Sequence, residues 1–198
     1  MRLLRPIESN FCQQPAYWEN FLSDEDINYI LSLPEWSEGS QAVVTGENKE
    51  FESLKIRNSK TSWMPLNEEH EQIWAKIEQA FSQINRTVFG FDITGFYEPA
   101  QLTSYSSKEK QFYGWHIDSG VNVSYTPRKL SMVLLLDDTK KFEGGKLQIK
   151  SFNDEPISVE QQKGRAWFFP SYMLHQVTPV TKGLRRSLVV WAGGPSFR

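Results

Sequence analysis

The chain has 198 residues, 39% hydrophobic and 23% charged, with a formal net charge of −2 and an isoelectric point near 6.0. That is the size and balance of one compact soluble unit, and it excludes the global positive field on which non-specific nucleic-acid binding relies. Aromatic residues reach 14%, including seven Trp, and Cys12 is the only cysteine, so the core should hold many flat side chains and no intrachain disulfide can form, which fits a reducing, cytoplasmic setting.

At the N-terminus, Met1 to Glu8 lacks the apolar stretch of a signal peptide, so no export is expected. Ser23 followed by Asp24, Glu25 and Asp26 sets a capping hydroxyl and an acidic first turn ahead of Ile27, Ile30 and Leu31, which predicts a short helix ending near Pro34. A longer helix is predicted over Glu68 to Arg86. Asn67 can cap it, Glu68, Glu69 and Glu71 complement its positive end, and Ile73, Ile77, Phe81, Ile84 and Val88 form one apolar stripe. Between the helices, residues 37 to 55 are polar with scattered Gly and Val and are expected to form a flap.

From Phe91 onward the chain consists of short segments rich in Val, Ile, Phe, Tyr and Trp, separated by Gly, Pro, Asn and Asp. Strands are expected over residues 94–104, 112–117, 130–136, 146–150, 156–159, 166–169, 174–179 and 187–191. About eight short strands suggest a two-sheet jelly roll carrying the helices on an outer face. The fold expected is therefore mainly β with N-terminal helices, one domain over residues 1–198. Residues 1–90 supply helical support and a flap, and residues 91–198 supply the jelly-roll catalytic core. The longest apolar run, Met132 to Leu136, ends at Asp137-Asp138 and is far too short to span a membrane.

Candidate chemistry begins at Gly114-Trp115-His116-Ile117-Asp118. Side chains alternate along a strand, so His116 and Asp118 share a face and could bind one ion. Alone, such a pair is more often a sheet histidine beside an exposed aspartate. His175, which follows Phe168-Phe169-Pro170-Ser171, offers a third ligand. Two imidazoles and one carboxylate leave open positions on an octahedral ion, which suits iron(II) that must also bind a chelating co-substrate and oxygen. After His175 a strand is expected to turn at Lys182-Gly183 and return with Arg185 and Ser187 on one face. A guanidinium with a neighbouring hydroxyl suits a carboxylate. Arg186 should point to the opposite face; a register shifted by one would give it that role instead.

The stretch from Leu102 to Trp191 resembles the 2-oxoglutarate/iron(II) dioxygenases, in particular the prolyl 4-hydroxylase-like branch. The likeness rests on four phrases in family order: Tyr113-Gly-Trp-His-Ile-Asp118, Phe142-Glu-Gly-Gly-Lys-Leu147, Phe168-Phe-Pro-Ser171 and His175-Gln-Val-Thr-Pro-Val180, with a basic residue, Arg185, ten positions after His175. It implies a double-stranded β-helix core and iron(II) held by His116, Asp118 and His175. It also implies 2-oxoglutarate and oxygen as co-substrates, ascorbate as a candidate reductant, and oxidative decarboxylation to succinate and carbon dioxide coupled to C–H hydroxylation. Arg185 would take the distal carboxylate of 2-oxoglutarate, assisted by Ser187 and by Tyr105, which is similar in placement to a family tyrosine. The substrate implied is a prolyl residue in a peptide or protein. The alternatives are a free amino acid or small metabolite, or a catalytically silent metal-binding jelly roll; neither nucleic acid nor membrane is expected as a partner.

Outside this set, His70 is expected as a rim or cap residue and Gly144-Gly145 as a hairpin or bulge without chemistry. Trp115, Trp167 and Trp191 are expected in the core, with Trp191 also a candidate for lining the pocket. Residues 119 to 128 follow the metal motif and are expected, like the flap, to face substrate.

Overall fold

A computed structural model describes residues 14–42, 56–119, 128–150 and 155–195. Most of the expected flap, and residues 120–127 of the loop after the metal motif, lie outside the described residues. In chain order the elements are β1 (Ala16–Trp18), α1 (Asp24–Ser32), β2 (Ser40–Gln41), β3 (Arg57–Asn58), β4 (Lys60–Met64), α2 (Glu71–Ile84), β5 (Ala100–Ser106), β6 (Phe112–His116), β7 (Arg128–Leu135), β8 (Phe142–Gly144), β9 (Leu147–Lys150), β10 (Pro156–Ser158), β11 (Ala166–Pro170), β12 (His175–Val177) and β13 (Val180–Gly193). No helix among the described residues is long and apolar enough to cross a membrane.

The helices form where the capping chemistry places them. The Ser23 hydroxyl accepts from the Asp26 amide while the Asp26 carboxylate accepts from the Ser23 amide, a reciprocal capping box. Asn67 caps a single 3-10 turn, Glu68–His70, that leads into α2. Beyond Ile84 the helix widens into a turn over Asn85–Phe89 and stops at Gly90, whose φ of 65° closes it. Ile73, Ile77, Phe81 and Ile84 are buried as the stripe requires.

Two antiparallel sheets make the jelly roll. The larger runs β1-β11-β7-β13-β5-β4-β2, with β8 also paired to β13, and the smaller runs β10-β9-β12-β6-β3. The stretch before residue 90 therefore contributes β1, β2 and β4 to the larger sheet and β3 to the smaller one, besides the helices. Strand β7 is buried on both faces. Leu130, Met132 and Leu134 pack towards the helical layer with Ile30, Ile77 and Phe81, and Val133 packs between the sheets with Leu147, Ile149 and Phe169. Each such fully buried aliphatic or aromatic side chain stabilises by roughly 1.5–3 kcal/mol, which makes this layered core the main support of the site.

Two expectations are corrected here. The chain does not turn at Lys182-Gly183; β13 runs unbroken from Val180 to Gly193. The change of sheet happens earlier, at Thr178-Pro179, between β12 of the smaller sheet and β13 of the larger. Gly183, at φ 73°, lies beside a register shift against β8, where a Cβ would fall 2.1 Å from the Lys141 carbonyl oxygen. Trp115 is not a core residue: it is 36% exposed, because it points away from the face that carries His116.

Candidate active site

His116 ends β6 and His175 begins β12, and the two stand opposite one another in the smaller sheet. Asp118 lies two residues past His116, where the amides of Asp118 and Ser119 both donate to the Ser171 carbonyl, at 2.9 Å each. The result brings all three side chains together. His116 Nε2 lies 3.6 Å from Asp118 Oδ1 and His175 Nε2 lies 3.5 Å from Asp118 Oδ2, and one ligand atom from each residue falls within 4.8 Å of the others.

Each imidazole is held from behind. His116 Nδ1 is 2.8 Å from the Gly114 carbonyl and His175 Nδ1 is 3.0 Å from the Met173 carbonyl. A carbonyl only accepts, so both Nδ1 atoms carry the proton, and in the neutral rings both Nε2 lone pairs face Asp118. Tyr113 stacks on His116 with ring centroids 3.4 Å apart.

Burial opposes ionisation of Asp118, but the neighbouring His175, the contact with His116 and the Ser131 hydroxyl outweigh it and hold the carboxyl well below the usual range. Burial also draws His175 down to about 4, against the pull of Asp118. One carboxylate and two imidazoles whose Nε2 atoms converge on it are a donor set that suits a divalent transition metal. The residues fit iron(II).

Beside this cluster, Arg185 is 1% exposed, and among the described residues no carboxylate pairs with it. Its Nε donates to Gln161 at 3.1 Å and its Nη1 to the Ser187 hydroxyl at 3.2 Å. Tyr105 stands directly opposite Arg185, and Ser187 opposite Thr103, on adjacent strands. Burial presses the guanidinium below its ordinary value and pushes the Tyr105 phenol up, against the pull of Arg57 and Arg185. Such a guanidinium remains charged at neutral pH, and a buried, uncompensated cation calls for an anionic partner. Arg186 points the other way, as expected, and chelates Asp137 through Nε and Nη2 at 3.1 and 2.7 Å.

A cavity of about 400 Å³ opens at the three candidate ligands. Tyr105 and Ser187 line it together with His116, Asp118 and His175. Its walls also include Trp191, the pocket candidate among the tryptophans, and three residues that the sequence did not single out, Arg57, Trp63 and Arg128. Arg57 is 6% exposed, donates to Ser59 and Gln101, and lies over the Tyr113 ring at 4.3 Å. Trp63 and Trp191 sit with ring centroids 6.4 Å apart, and Arg128, paired to Glu98, covers Trp191 at 3.7 Å. The signal for Arg57 was the Arg57-x-Ser59 alternation, which becomes meaningful only once β3 pairs with β6. His70 is outside the site, buried and bonded to the Tyr29 hydroxyl.

Residues 100–193 match the model of the 2OG-Fe(II) oxygenase superfamily, and this segment contains His116, Asp118, His175, Arg185 and Ser187 but not Arg57 or Trp63. The match covers 94 of the 198 residues. A PKHD-type hydroxylase of Nitrosomonas eutropha is 29% identical over 175 residues, covering 84% of this chain and 73% of the relative. A PKHD-type hydroxylase of Alteromonas mediterranea is 37% identical over 89 residues, covering 42% of this chain but only 38% of the relative's length. Among solved structures, a Pseudomonas putida prolyl-4-hydroxylase superposes with a TM-score of 0.70 at 21% identity, over 92% of this chain and 93% of that one. A Trichoplax adhaerens prolyl hydroxylase, solved with a hypoxia inducible factor peptide fragment, gives 0.71 at 18% identity, over 91% and 84%. Both likenesses, at under 25% identity, show the fold alone.

Proposed function

We propose that the chain is one oxygenase domain that uses iron(II), 2-oxoglutarate and oxygen to hydroxylate a prolyl residue in a peptide or protein, releasing succinate and carbon dioxide. The observation that carries this reading is a His-Asp-His donor set in a cavity also lined by Tyr105 and Ser187, the two residues that flank the buried Arg185 guanidinium. His116, Asp118 and His175 hold the iron. Arg185 accepts the distal carboxylate of 2-oxoglutarate, with the Ser187 and Tyr105 hydroxyls lining the slot in front of it. Bound iron supplies the chelation of the keto acid and the activation of oxygen needed to attack an unactivated C–H bond.

The remaining walls select the substrate. Tyr113, Trp63 and Trp191 present aromatic surface to the cavity, suited to a saturated five-membered ring. Trp191 also holds a buried indole N–H that has no partner among the described residues, a donor for a backbone carbonyl. PKHD-type hydroxylases and prolyl hydroxylases among the relatives support the same substrate class. The single cysteine supports a cytoplasmic setting, and ascorbate is the reductant we assign to keep the metal ferrous.

Arg57 favours a second reading. It is a buried cation on the cavity wall without a carboxylate partner among the described residues, and it could receive the free carboxylate of an amino acid. Succinate formation with iron(II), 2-oxoglutarate and oxygen separates the two. Acceleration by proline-containing peptides and not by free proline supports the first reading, and the reverse supports the second. Succinate no faster than with His116→Ala under every condition would remove both.

A further inference from the structure

Asp118 is the ligand that the smaller sheet does not hold by itself. His116 and His175 are positioned by β6 and β12 and by carbonyls of their own strand ends. The Asp118 carboxylate instead reaches across to the larger sheet, where the Ser131 hydroxyl of β7 contacts Oδ2 at 2.7 Å. Ser131 is fully buried, and its hydroxyl lies 2.9 Å from that of Ser171, which is equally buried at the end of β11.

The Ser131 hydroxyl donates its single proton to Asp118 Oδ2. The Ser171 hydroxyl must then donate to Ser131. Ser171 also accepts both backbone amides of residues 118 and 119 through its carbonyl. One residue thus fixes the Asp118 backbone directly and the Asp118 carboxylate through Ser131.

We propose that Ser131 is a positioning residue for the metal, oriented by Ser171, and that this two-hydroxyl chain sets metal affinity by fixing the Asp118 carboxylate from the sheet opposite the histidines. The inference rests on the proposed reading of His116, Asp118 and His175 as metal ligands. It absorbs the Ser171 of the Phe-Phe-Pro-Ser phrase, to which the reaction itself assigns nothing. A hydroxyl in the middle of a run otherwise made of Leu130, Met132, Val133 and Leu134 is otherwise an expensive choice, because a buried polar group is tolerated only when bonded. Outer partners of metal ligands characteristically change affinity by about 10–100-fold.

The test is direct manganese(II) binding to the purified apoprotein, followed by loss of the free-ion electron paramagnetic resonance signal, with thermal unfolding in chelator as the control for folding. Ser131→Ala is expected to weaken manganese binding about 10–100-fold, with the chelated protein still folding cooperatively. Ser131→Thr, which keeps the hydroxyl, should restore most of it. Ser171→Ala should produce a smaller loss, and adding it to Ser131→Ala should produce little more, because Ser171 acts on the carboxylate through Ser131. Wild-type affinity in folded Ser131→Ala overturns the proposal, as does full additivity of the two losses. Should Ser131→Ala not fold, wild-type affinity in Ser171→Ala overturns it. Failure of the wild-type protein to bind manganese would instead remove the metal reading on which the inference stands.

Discussion

Tyr105 and Arg185 stand opposite each other on β5 and β13, with the guanidinium carbon 5.4 Å from the tyrosine ring centroid. The phenol lines the cavity that the three candidate metal ligands also line, and the buried Arg185 cation stands beside that phenol. Arg185→Ala should raise the 2-oxoglutarate concentration needed for half-maximal succinate formation by roughly 100-fold or more, since each charge-assisted bond contributes about 1.5–3 kcal/mol. Manganese binding should be nearly unchanged. Tyr105→Phe should raise the same requirement by roughly 10-fold. Equal losses of metal and keto acid in Arg185→Ala would place the guanidinium in the metal site or in the core instead.

Gly145 makes room for that guanidinium. At φ 57°, a Cβ there would lie 2.7 Å from Arg185 Cδ and 2.9 Å from Val180 Cγ2. Gly145→Ala should cost roughly 2–4 kcal/mol in urea unfolding, through left-handed backbone strain and overpacking. In whatever fraction remains folded it should also raise the 2-oxoglutarate requirement, because Arg185 must move. Stability and co-substrate affinity both at wild-type level would show that the close approach is not needed.

Arg186 provides the register control. It chelates Asp137, which is 5% exposed and also accepts the Arg186 amide at 2.7 Å. Arg186→Ala removes the side-chain partners of a buried carboxylate and should cost about 1–3 kcal/mol in stability, measured by urea unfolding, while leaving the 2-oxoglutarate requirement where it was. A large rise in that requirement with no loss of stability would exchange the roles of Arg185 and Arg186.

The helical layer is expected to support rather than to react. Ser23→Ala removes one half of the capping box of α1 and should cost about 0.5–2 kcal/mol. Succinate formation per folded molecule, assayed well below the unfolding temperature, should not change.

Legibility in the sequence followed the range of the interactions involved. The capping box of α1, the Asn67 cap and the stripe on α2 are local, and both helices lie where Ser23, Asn67 and the Ile73-Ile77-Phe81 spacing put them. His116 and Asp118 were visible through strand alternation, although Asp118 lies beyond the end of β6 and is turned inward by the Ser171 carbonyl rather than by the strand itself. Strands β2 to β4 left little trace because they are short and polar: in β4, Ser62 and Met64 are the inward pair, and only pairing with β5 buries them. Arg57 became a cavity residue through pairing of β3 with β6, a contact between segments some 55 residues apart that no local pattern encodes. Ser131 carries no local signal of its role, because its partner, the Asp118 carboxylate, comes from the other sheet. Residues 94–99 were read as part of β5, but the strand begins at Ala100, after Pro99, which has no amide to donate.

The central claim is that one cavity holds iron at His116, Asp118 and His175 and 2-oxoglutarate at Arg185. Its most direct test is an anaerobic titration of the purified protein, first with iron(II) and then with 2-oxoglutarate, followed by the visible charge-transfer absorption that a keto acid produces on chelating ferrous iron. The wild-type protein should develop this band with one iron and one 2-oxoglutarate per chain. His175→Ala should not develop it at any concentration, and Arg185→Ala should develop it only at much higher 2-oxoglutarate. A wild-type protein that binds iron(II) without developing the band, or a His175→Ala variant that develops it as the wild type does, would contradict the account.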